Sequence, residues 1–271
     1  MQSRILTGLL LLGLGGYLVA NGGLPLYIFI FLVTMISAYE LVLMSKPKLN
    51  LFQKIMSVLA ASVVMVAILP LAINNGISAD ILAIVSSVPV KFFVLFMIAF
   101  YLAEILLKKK FIAFDNQYYI LLRIILLLVG TFPFIFLVRA GNNGFFNMLF
   151  CCVLIWVADI AALFGGMKWG RHKLSKLSPK KTVEGSLIAI VADLIAALIF
   201  IWLFKLNPVV YLALAFIISI LAQLGDLHES LTKRYFNVKD SSGLLPGHGG
   251  IYDRVDSSLF VMPLMFYFFN W

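Results

Sequence analysis

The stretch LIAIVADLIAALIFIWLF at residues 187–204 is followed, three residues later, by PVVYLALAFIISILAQLG at residues 208–225. Asp193 is the one charged residue in the two runs. A helix needs about 20 apolar residues to cross the hydrocarbon core of a bilayer. These runs therefore predict two consecutive membrane-spanning helices.

Composition extends this prediction to the whole chain. Of the 271 residues, 63% are hydrophobic and 12% are charged, and the mean hydropathy is +1.06. Soluble domains carry about 25% charged residues, so a soluble fold is excluded. We expect an all-α, polytopic membrane protein with about nine spans, or eight if the short first or last run does not cross. The candidate runs are 5–20, 25–44, 55–73, 81–107, 118–138, 145–166, 187–204, 208–225 and 257–271.

The basic residues predict the orientation of these spans. If the N-terminus is cytoplasmic, seventeen of the 21 Lys and Arg residues fall on the cytoplasmic side, as the positive-inside rule requires. The net charge of +9 then reflects basic residues that lie beside anionic lipid headgroups, rather than a surface that binds nucleic acid. We expect a multi-pass protein of the inner (cell) membrane.

Two predicted cytoplasmic loops differ from the others. The loops 167–186 and 226–256 are longer and mix charges with Gly and Pro. We therefore divide the chain into N-terminal spans, residues 1–140, and a catalytic region, residues 141–271, that carries both loops.

The second of these loops has acidic residues at both ends. Asp226 and Glu229 follow the run 208–225, and Asp253 and Asp256 stand three residues apart before the last run. Residues three or four apart share one face of a helix, and carboxylates together with substrate phosphates are typical ligands of Mg²⁺. Taken alone, the first acids also fit an interfacial ion pair with Lys233.

Between the acids lies KDSSGLLPGHGG at residues 239–250. Its side chains offer hydrogen-bond donors, and its glycines allow backbone N–H groups to approach an anion. A glycine-rich loop alone is more often a turn. Combined with two acid clusters at one membrane face, it indicates a site that handles phosphate groups.

This stretch resembles the signature of the phosphatidate cytidylyltransferases, the CDP-diacylglycerol synthases. The matching residues are Ser230, Lys233, Arg234, Lys239, Asp240, Ser242, Leu245 to Gly250, Ile251, Asp253, Arg254, Val255 and Asp256. Thr232 stands where that family usually has an aliphatic residue. The resemblance extends back to Asp159, Gly170, Arg171, Ser178 to Thr182, Glu184 and Gly185, with a departure at 165–168. It covers about residues 156–258, and residues 1–140 match only as apolar spans.

The resemblance implies that CTP and phosphatidate react to CDP-diacylglycerol and pyrophosphate. It implies catalytic roles for Asp226, Asp253, Asp256 and Lys239, the three aspartates being ligands of Mg²⁺, with room for a second cation. The implied substrate-binding residues are Arg171, Lys180, Lys181, Ser241, His248, Gly249, Gly250 and Arg254. Asp159, Glu229 and Asp240 are further candidates. The implied partners are CTP, phosphatidate and membrane lipid, with no nucleic acid, and a homodimer is left open.

Two other functions stay open. Another CTP-using lipid enzyme, such as a polyprenol kinase or an ether-lipid cytidylyltransferase, would share the spans and basic loops. A secondary transporter would also carry intramembrane charges, but it usually shows inverted repeats and broken midplane helices.

Three further acids lie in or near the spans. We expect Glu40 and Glu104, near span ends, to reach the interface or to pair with nearby lysines. Asp193 lies inside a span, where an ionisable residue is by default a candidate for a functional site; the alternative is a pair with Arg123 or Lys91.

Overall fold

The computed structural model describes most of the chain, and the described part is helical. The described residues are 13–45, 49–73, 77, 83–85, 87–107, 116–175, 178, 180–245 and 249–270. Within them, extended structure is limited to two isolated bridges, Lys173 with Thr182 and Leu245 with Gly249. The prediction of an all-α protein is confirmed.

Ten helices have both ends within the described residues. They are α1 (Gly23–Met44), α2 (Leu51–Ala67), α3 (Leu69–Ile73), α4 (Val88–Leu106), α5 (Gln117–Gly130), α6 (Phe132–Ala140), α7 (Gly144–Trp169), α8 (Val183–Phe204), α9 (Pro208–Tyr235) and α10 (Tyr252–Phe269). Residues 13–21 are helical as well.

Six segments of the described chain are long and apolar enough to cross a membrane. They are α1, α4, α5 together with α6, α7, α8 and α9. These segments coincide with six of the predicted runs. The chain is therefore a multi-pass membrane protein, and six spans are supported.

The predicted count of about nine spans is not confirmed. The run 55–73 is divided between α2 and α3, because Pro70 lacks a backbone N–H and begins a new helix. The run 257–271 belongs to α10, whose first turns carry three charged residues. The run 5–20 lies partly outside the described residues.

Side chains at the helix starts explain where these helices begin. Asn50 and Gln53 form a capping box at α2, each accepting a hydrogen bond from the other's backbone N–H. The Thr182 hydroxyl accepts a hydrogen bond from the Gly185 N–H, 3.1 Å away, at the start of α8. Asn207 caps α9 in front of Pro208. Such caps satisfy N–H groups that have no partner inside the helix.

The packing of the last four long helices positions the site. α7 packs along α8, α9 packs against α8 and α10, and α10 also contacts α6. A Cβ atom on Gly225 of α9 would lie 2.5 Å from the backbone oxygen of Asp256 on α10. Glycine thus allows the close approach of α9 and α10 at the end of the bundle where the acids lie.

Glu104 does not reach the interface, contrary to expectation. It is 1% exposed, with one oxygen 2.7 Å from the Arg123 Nε atom and the other 3.0 Å from the His228 Nε2 atom. The Tyr119 hydroxyl also donates to it. The expectation was wrong because α4 directs this side chain inward, against α5 and α9.

The alternative pairing of Asp193 with Arg123 is also wrong. The Arg123 side chain binds Glu104 and donates a hydrogen bond of 3.1 Å to the Thr232 hydroxyl. Asp193 is fully buried in α8, and within the described part of the chain it forms no salt bridge.

Candidate functional site

A cavity of about 750 Å³ opens at one end of the bundle, between α7, α8, α9 and α10. The C-terminal halves of α7 and α9 and the N-terminal ends of α8 and α10 meet there. Acids and bases line much of its wall: Asp159, Lys180, Lys181, Asp226, Glu229, Lys233, Asp240, Asp253, Arg254 and Asp256. Apolar residues of α7, including Leu163 and Met167, line another part.

Three carboxylates converge in this cavity. Asp226, Glu229 and Asp256 each place one oxygen within 4.8 Å of the other two. The first two lie three residues apart on α9, and the third comes from α10 across the close contact at Gly225. Burial and the neighbouring Asp226 carboxylate raise the pKa of Asp256 above its ordinary value. Carboxylates crowded in this way favour a bound cation, and their oxygens suit a hard divalent ion.

Two lysines lie against this group, which we call the carboxylate cluster. Lys181, just before α8, forms an ion pair with Asp226. Lys233, one turn after Glu229 on α9, forms an ion pair with Glu229 and lies 3.3 Å from the Asp253 Oδ1 atom. The cluster therefore stands beside positive charge that is available to phosphate oxygens.

Asp253 joins the loop to the edge of the cluster. Its carboxylate accepts hydrogen bonds from the Gly250 N–H at 2.9 Å and the Ser241 N–H at 3.1 Å. Burial alone would raise the pKa of Asp253, but hydrogen bonds with Glu229 and with these N–H groups, and the charge of Lys233, hold it below its ordinary value. The predicted role of Asp253 as a metal ligand stays a prediction, and its observed partners are two loop N–H groups, Lys233 and Glu229.

Glu184 fixes the segment between α7 and α8, which carries the predicted basic residues Arg171, Lys180 and Lys181. Its carboxylate accepts hydrogen bonds from the Arg171 N–H at 3.0 Å and the His172 N–H at 3.1 Å. The His172 Nδ1 atom lies 2.6 Å from the same group, and Lys173 forms an isolated bridge with Thr182. The segment is thereby folded back on itself at the start of α8. Its return arm brings Lys180 and Lys181 to the cavity, whereas the Arg171 side chain is exposed and lies outside the lining.

Glu40, on α1, is absent from the predicted site but is built into it. It is 1% exposed, so the expectation that it would reach the interface is wrong, and among the described residues it forms no ion pair with a lysine. Its oxygens accept hydrogen bonds from the hydroxyls of Ser241 and Ser242, at 3.0 and 2.6 Å. They also accept from the backbone N–H groups of Ile251 and Tyr252, at 3.0 and 2.8 Å. The only signal in the sequence is an acid near the end of an apolar run.

The predicted site residues fall into three groups. The structure brings nine of them into the cavity lining: Asp159, Lys180, Lys181, Asp226, Glu229, Asp240, Asp253, Arg254 and Asp256. Lys239 is exposed and lies outside that lining, and Ser241, Gly249 and Gly250 lie behind it in the loop. His248 lies outside the described residues.

The chain is similar to known proteins along its whole length. The model of the cytidylyltransferase family matches residues 2–271. The phosphatidate cytidylyltransferase of Bacillus subtilis is 36% identical over 274 residues, covering 98% of this chain and 97% of that protein. Proteins of the same name from Staphylococcus saprophyticus and Staphylococcus aureus are 33% and 32% identical over 268 residues, with the same coverage. The similarity thus includes residues 1–140, where the sequence alone suggested only apolar spans.

Proposed function

Because this chain belongs to the cytidylyltransferase family, we propose that it converts CTP and phosphatidate to CDP-diacylglycerol and pyrophosphate. A phosphate oxygen of the lipid attacks the α-phosphorus of CTP, and the bond between the α- and β-phosphates breaks. The attacking oxygen is already anionic, so no strong general base is needed. The main obstacle is the repulsion between two polyanions, which positioning and electrostatic stabilisation overcome.

The observation that carries this proposal is the carboxylate cluster with its two lysines. Acids alone would repel CTP and phosphatidate, whereas an acid cluster that holds a cation attracts both. The oxygens of Asp226, Glu229 and Asp256 lie close enough together to share one ion. We assign the third ligand to Glu229 instead of Asp253, whose oxygens already accept loop hydrogen bonds.

Bound Mg²⁺ would stabilise negative charge on the triphosphate and on the departing pyrophosphate. The protein supplies further positive charge: Lys180, Lys181 and Arg254 line the same cavity and are placed to bind phosphate oxygens. A second cation, the role of Lys239 and a homodimer stay predictions.

The apolar part of the wall fits the lipid substrate. Leu163 and Met167 on α7 line the cavity and are 59% and 67% exposed. Their exposed surface is continuous with the side of a membrane-spanning helix, so acyl chains in the bilayer can lie against it while the headgroup reaches the carboxylates. CTP, which is soluble, enters from the aqueous side of the cavity.

We place the cavity on the cytoplasmic side of the inner (cell) membrane, with a cytoplasmic N-terminus. The cavity lies at the end of the bundle that carries the basic residues near the end of α7 and the start of α8, and Lys233 and Arg234 in the last turn of α9. The positive-inside rule assigns such an end to the cytoplasm. CTP is available on that side.

A two-label assay tests the reaction itself. Purified protein in detergent is given phosphatidate and CTP that carries radioactive phosphorus at either the α or the γ position. Cytidylyl transfer moves the α label into the lipid fraction and releases the γ label as pyrophosphate. A lipid kinase would instead move the γ label into the lipid, and that result would overturn the proposal.

Acceptor lipids serve as the matched controls. Diacylglycerol lacks the attacking phosphate, so it should give no labelled lipid. Polyprenol and an ether-linked phosphatidate analogue test the two related activities. Transfer to either one without transfer to phosphatidate would assign a different substrate to this cavity.

A further inference from the structure

Glu40 joins the two ends of the loop between α9 and α10, residues 236–251. Ser241 and Ser242 lie in the first half of this loop, whereas Ile251 and Tyr252 mark the start of α10. All four donate to the single Glu40 carboxylate. An acid from α1, some 200 positions earlier in the chain, therefore closes the loop.

Among the described residues, the partners of Glu40 are hydrogen-bond donors without a charge. Its four donors are two hydroxyls and two backbone N–H groups. The two N–H groups belong to the start of α10, where the helix leaves its first donors without partners and carries partial positive charge. A buried carboxylate is costly unless it is fully hydrogen-bonded, so the charge of Glu40 and the folded loop depend on each other.

The loop backbone lies close against the Glu40 carboxylate at Gly250. A Cβ atom on Gly250 would lie 2.5 Å from the Glu40 Oε1 atom and 1.9 Å from the Ser241 hydroxyl oxygen. Gly249 has a φ of 82°, a backbone conformation that residues other than glycine rarely adopt. The loop therefore presses backbone directly against the carboxylate.

Ser241 links Glu40 to the carboxylate cluster. Its hydroxyl donates to Glu40, and its backbone N–H donates to Asp253, 3.1 Å away. Asp253 lies 3.3 Å from the Lys233 ammonium, which pairs with Glu229 of the cluster. A displacement of the loop at Ser241 would thus be transmitted to Lys233 and Glu229.

We propose that Glu40 is a positioning residue of the active site, which fixes the α9–α10 loop so that Asp253 holds Lys233 beside Glu229. Glu40 is not among the residues that line the cavity, so it is expected to act through the loop. The inference rests on the proposed function for its effect on turnover, but its effect on the loop is independent of any reaction.

The substitution Glu40→Gln tests this proposal at constant size. Gln keeps the shape of Glu, removes the charge and presents an amide donor to groups that are themselves donors. We expect turnover to fall about 10- to 100-fold, the usual cost of losing a partner that orients a metal ligand. We expect less change in the KM for phosphatidate, because the apolar wall on α7 is not affected.

Hydrogen–deuterium exchange gives a second readout that does not need activity. The amides of Ile251 and Tyr252 donate to Glu40, so their exchange should accelerate in Glu40→Gln. The matched control is Glu104→Gln, which alters an equally buried acid that binds Arg123 and His228 instead of the loop. This control should lower the melting temperature and leave the exchange of the two amides unchanged.

Ser242→Ala keeps the test decisive if Glu40→Gln does not fold. It removes one donor to Glu40 at 2.6 Å from a partly exposed position, and it should produce a smaller change in the same direction in exchange and in turnover. Wild-type exchange and turnover in both variants would overturn the role of Glu40. Absence of cytidylyl transfer by the wild-type protein would instead defeat the proposed function, and the exchange data would still decide whether Glu40 fixes the loop.

Discussion

A Cβ atom on Gly225 would lie 2.5 Å from the backbone oxygen of Asp256 and 3.2 Å from the Ser257 Cα atom. The first two ligands we assign lie on α9 and the third lies on α10, so this contact sets the distance between them. The helices can approach so closely only because residue 225 has no side chain.

Gly225→Ala should therefore separate α9 from α10 and reduce turnover. A displacement of about 1 Å at a reacting centre can cost about 10²-fold in rate, and the added methyl group should also lower stability by about 1–3 kcal/mol. Gly16→Ala is the control, because Gly16 is helical and has open space around its Cα atom. Turnover and thermal unfolding of both variants are measured in detergent. Wild-type turnover in Gly225→Ala would mean that this contact does not set the site geometry.

The convergence of the three acids was predictable from the sequence, because the chemistry and the local spacing coincide there. Asp226 and Glu229 share a helical face, and Asp256 begins the next helix, so their meeting required only that α9 and α10 be antiparallel neighbours. Glu229 ranked below Asp253 in the prediction because Lys233, four residues later, offered it an ordinary ion pair. The structure contains that ion pair. Lys233 also contacts Asp253, and the spacing along the chain does not predict this second contact.

The contacts that cross from residues 1–140 were not predictable from the sequence. Glu40 and Glu104 each end an apolar run, and an acid in that place ordinarily turns to the interface. The partners of Glu40 lie more than 100 residues away in sequence. The partners of Glu104 lie on two other helices. Tertiary packing alone brings those donors together, so the N-terminal spans support the site more directly than their apolar composition suggests.

The buried pair of Arg123 and Glu104 should stabilise the fold without taking part in catalysis. Removing one partner of a buried pair leaves an uncompensated charge and commonly costs about 3–5 kcal/mol. Arg123→Met should therefore lower the melting temperature strongly, while turnover per folded molecule stays close to the wild type. The double variant Arg123→Met with Glu104→Gln should be less unstable than the sum of the single variants, because no buried charge is left unpaired. Simple additivity would show that the two side chains are not coupled.

Turnover should require a divalent cation. Without one, the carboxylate cluster would place negative charge beside CTP and phosphatidate. We expect excess EDTA to abolish transfer of the α-phosphate label to lipid, and added Mg²⁺ to restore it. Binding of Mg²⁺ should also raise the melting temperature of the wild-type protein. Full turnover in excess EDTA would remove the metal from the proposed function.

Cysteine labelling tests the orientation of the cavity. In a variant with Cys151 and Cys152 replaced by Ala, single cysteines are introduced at the exposed positions Lys173, Leu244 and Asn142. The first two flank the cavity, so they should react with a membrane-impermeant maleimide only when the cytoplasmic face is accessible. The third lies between α6 and α7, at the other end of the bundle, and should react from outside. Labelling of Lys173 and Leu244 from opposite sides would contradict a shared site.

The last prediction separates ligands of the metal from residues that hold the loop. Asp226→Asn, Glu229→Gln and Asp256→Asn each keep the shape of the side chain and remove its charge. Loss of one such electrostatic contact costs on the order of 10²–10³ in rate, and higher Mg²⁺ concentrations should restore part of it if the defect is one of affinity. Stability should stay near the wild type or rise, because fewer like charges then crowd the cavity.

Asp253→Asn should behave differently, because Asp253 binds the Gly250 and Ser241 N–H groups and Lys233. We expect a lower melting temperature, faster exchange of the Gly250 amide and a rate loss that added Mg²⁺ does not correct. Asp193→Asn is the control, since Asp193 is buried in α8 and is not among the residues that line the cavity, and it should keep wild-type turnover. If added Mg²⁺ restores the turnover of Asp253→Asn, and the Gly250 amide exchanges at the wild-type rate, Asp253 would be a metal ligand in place of Glu229.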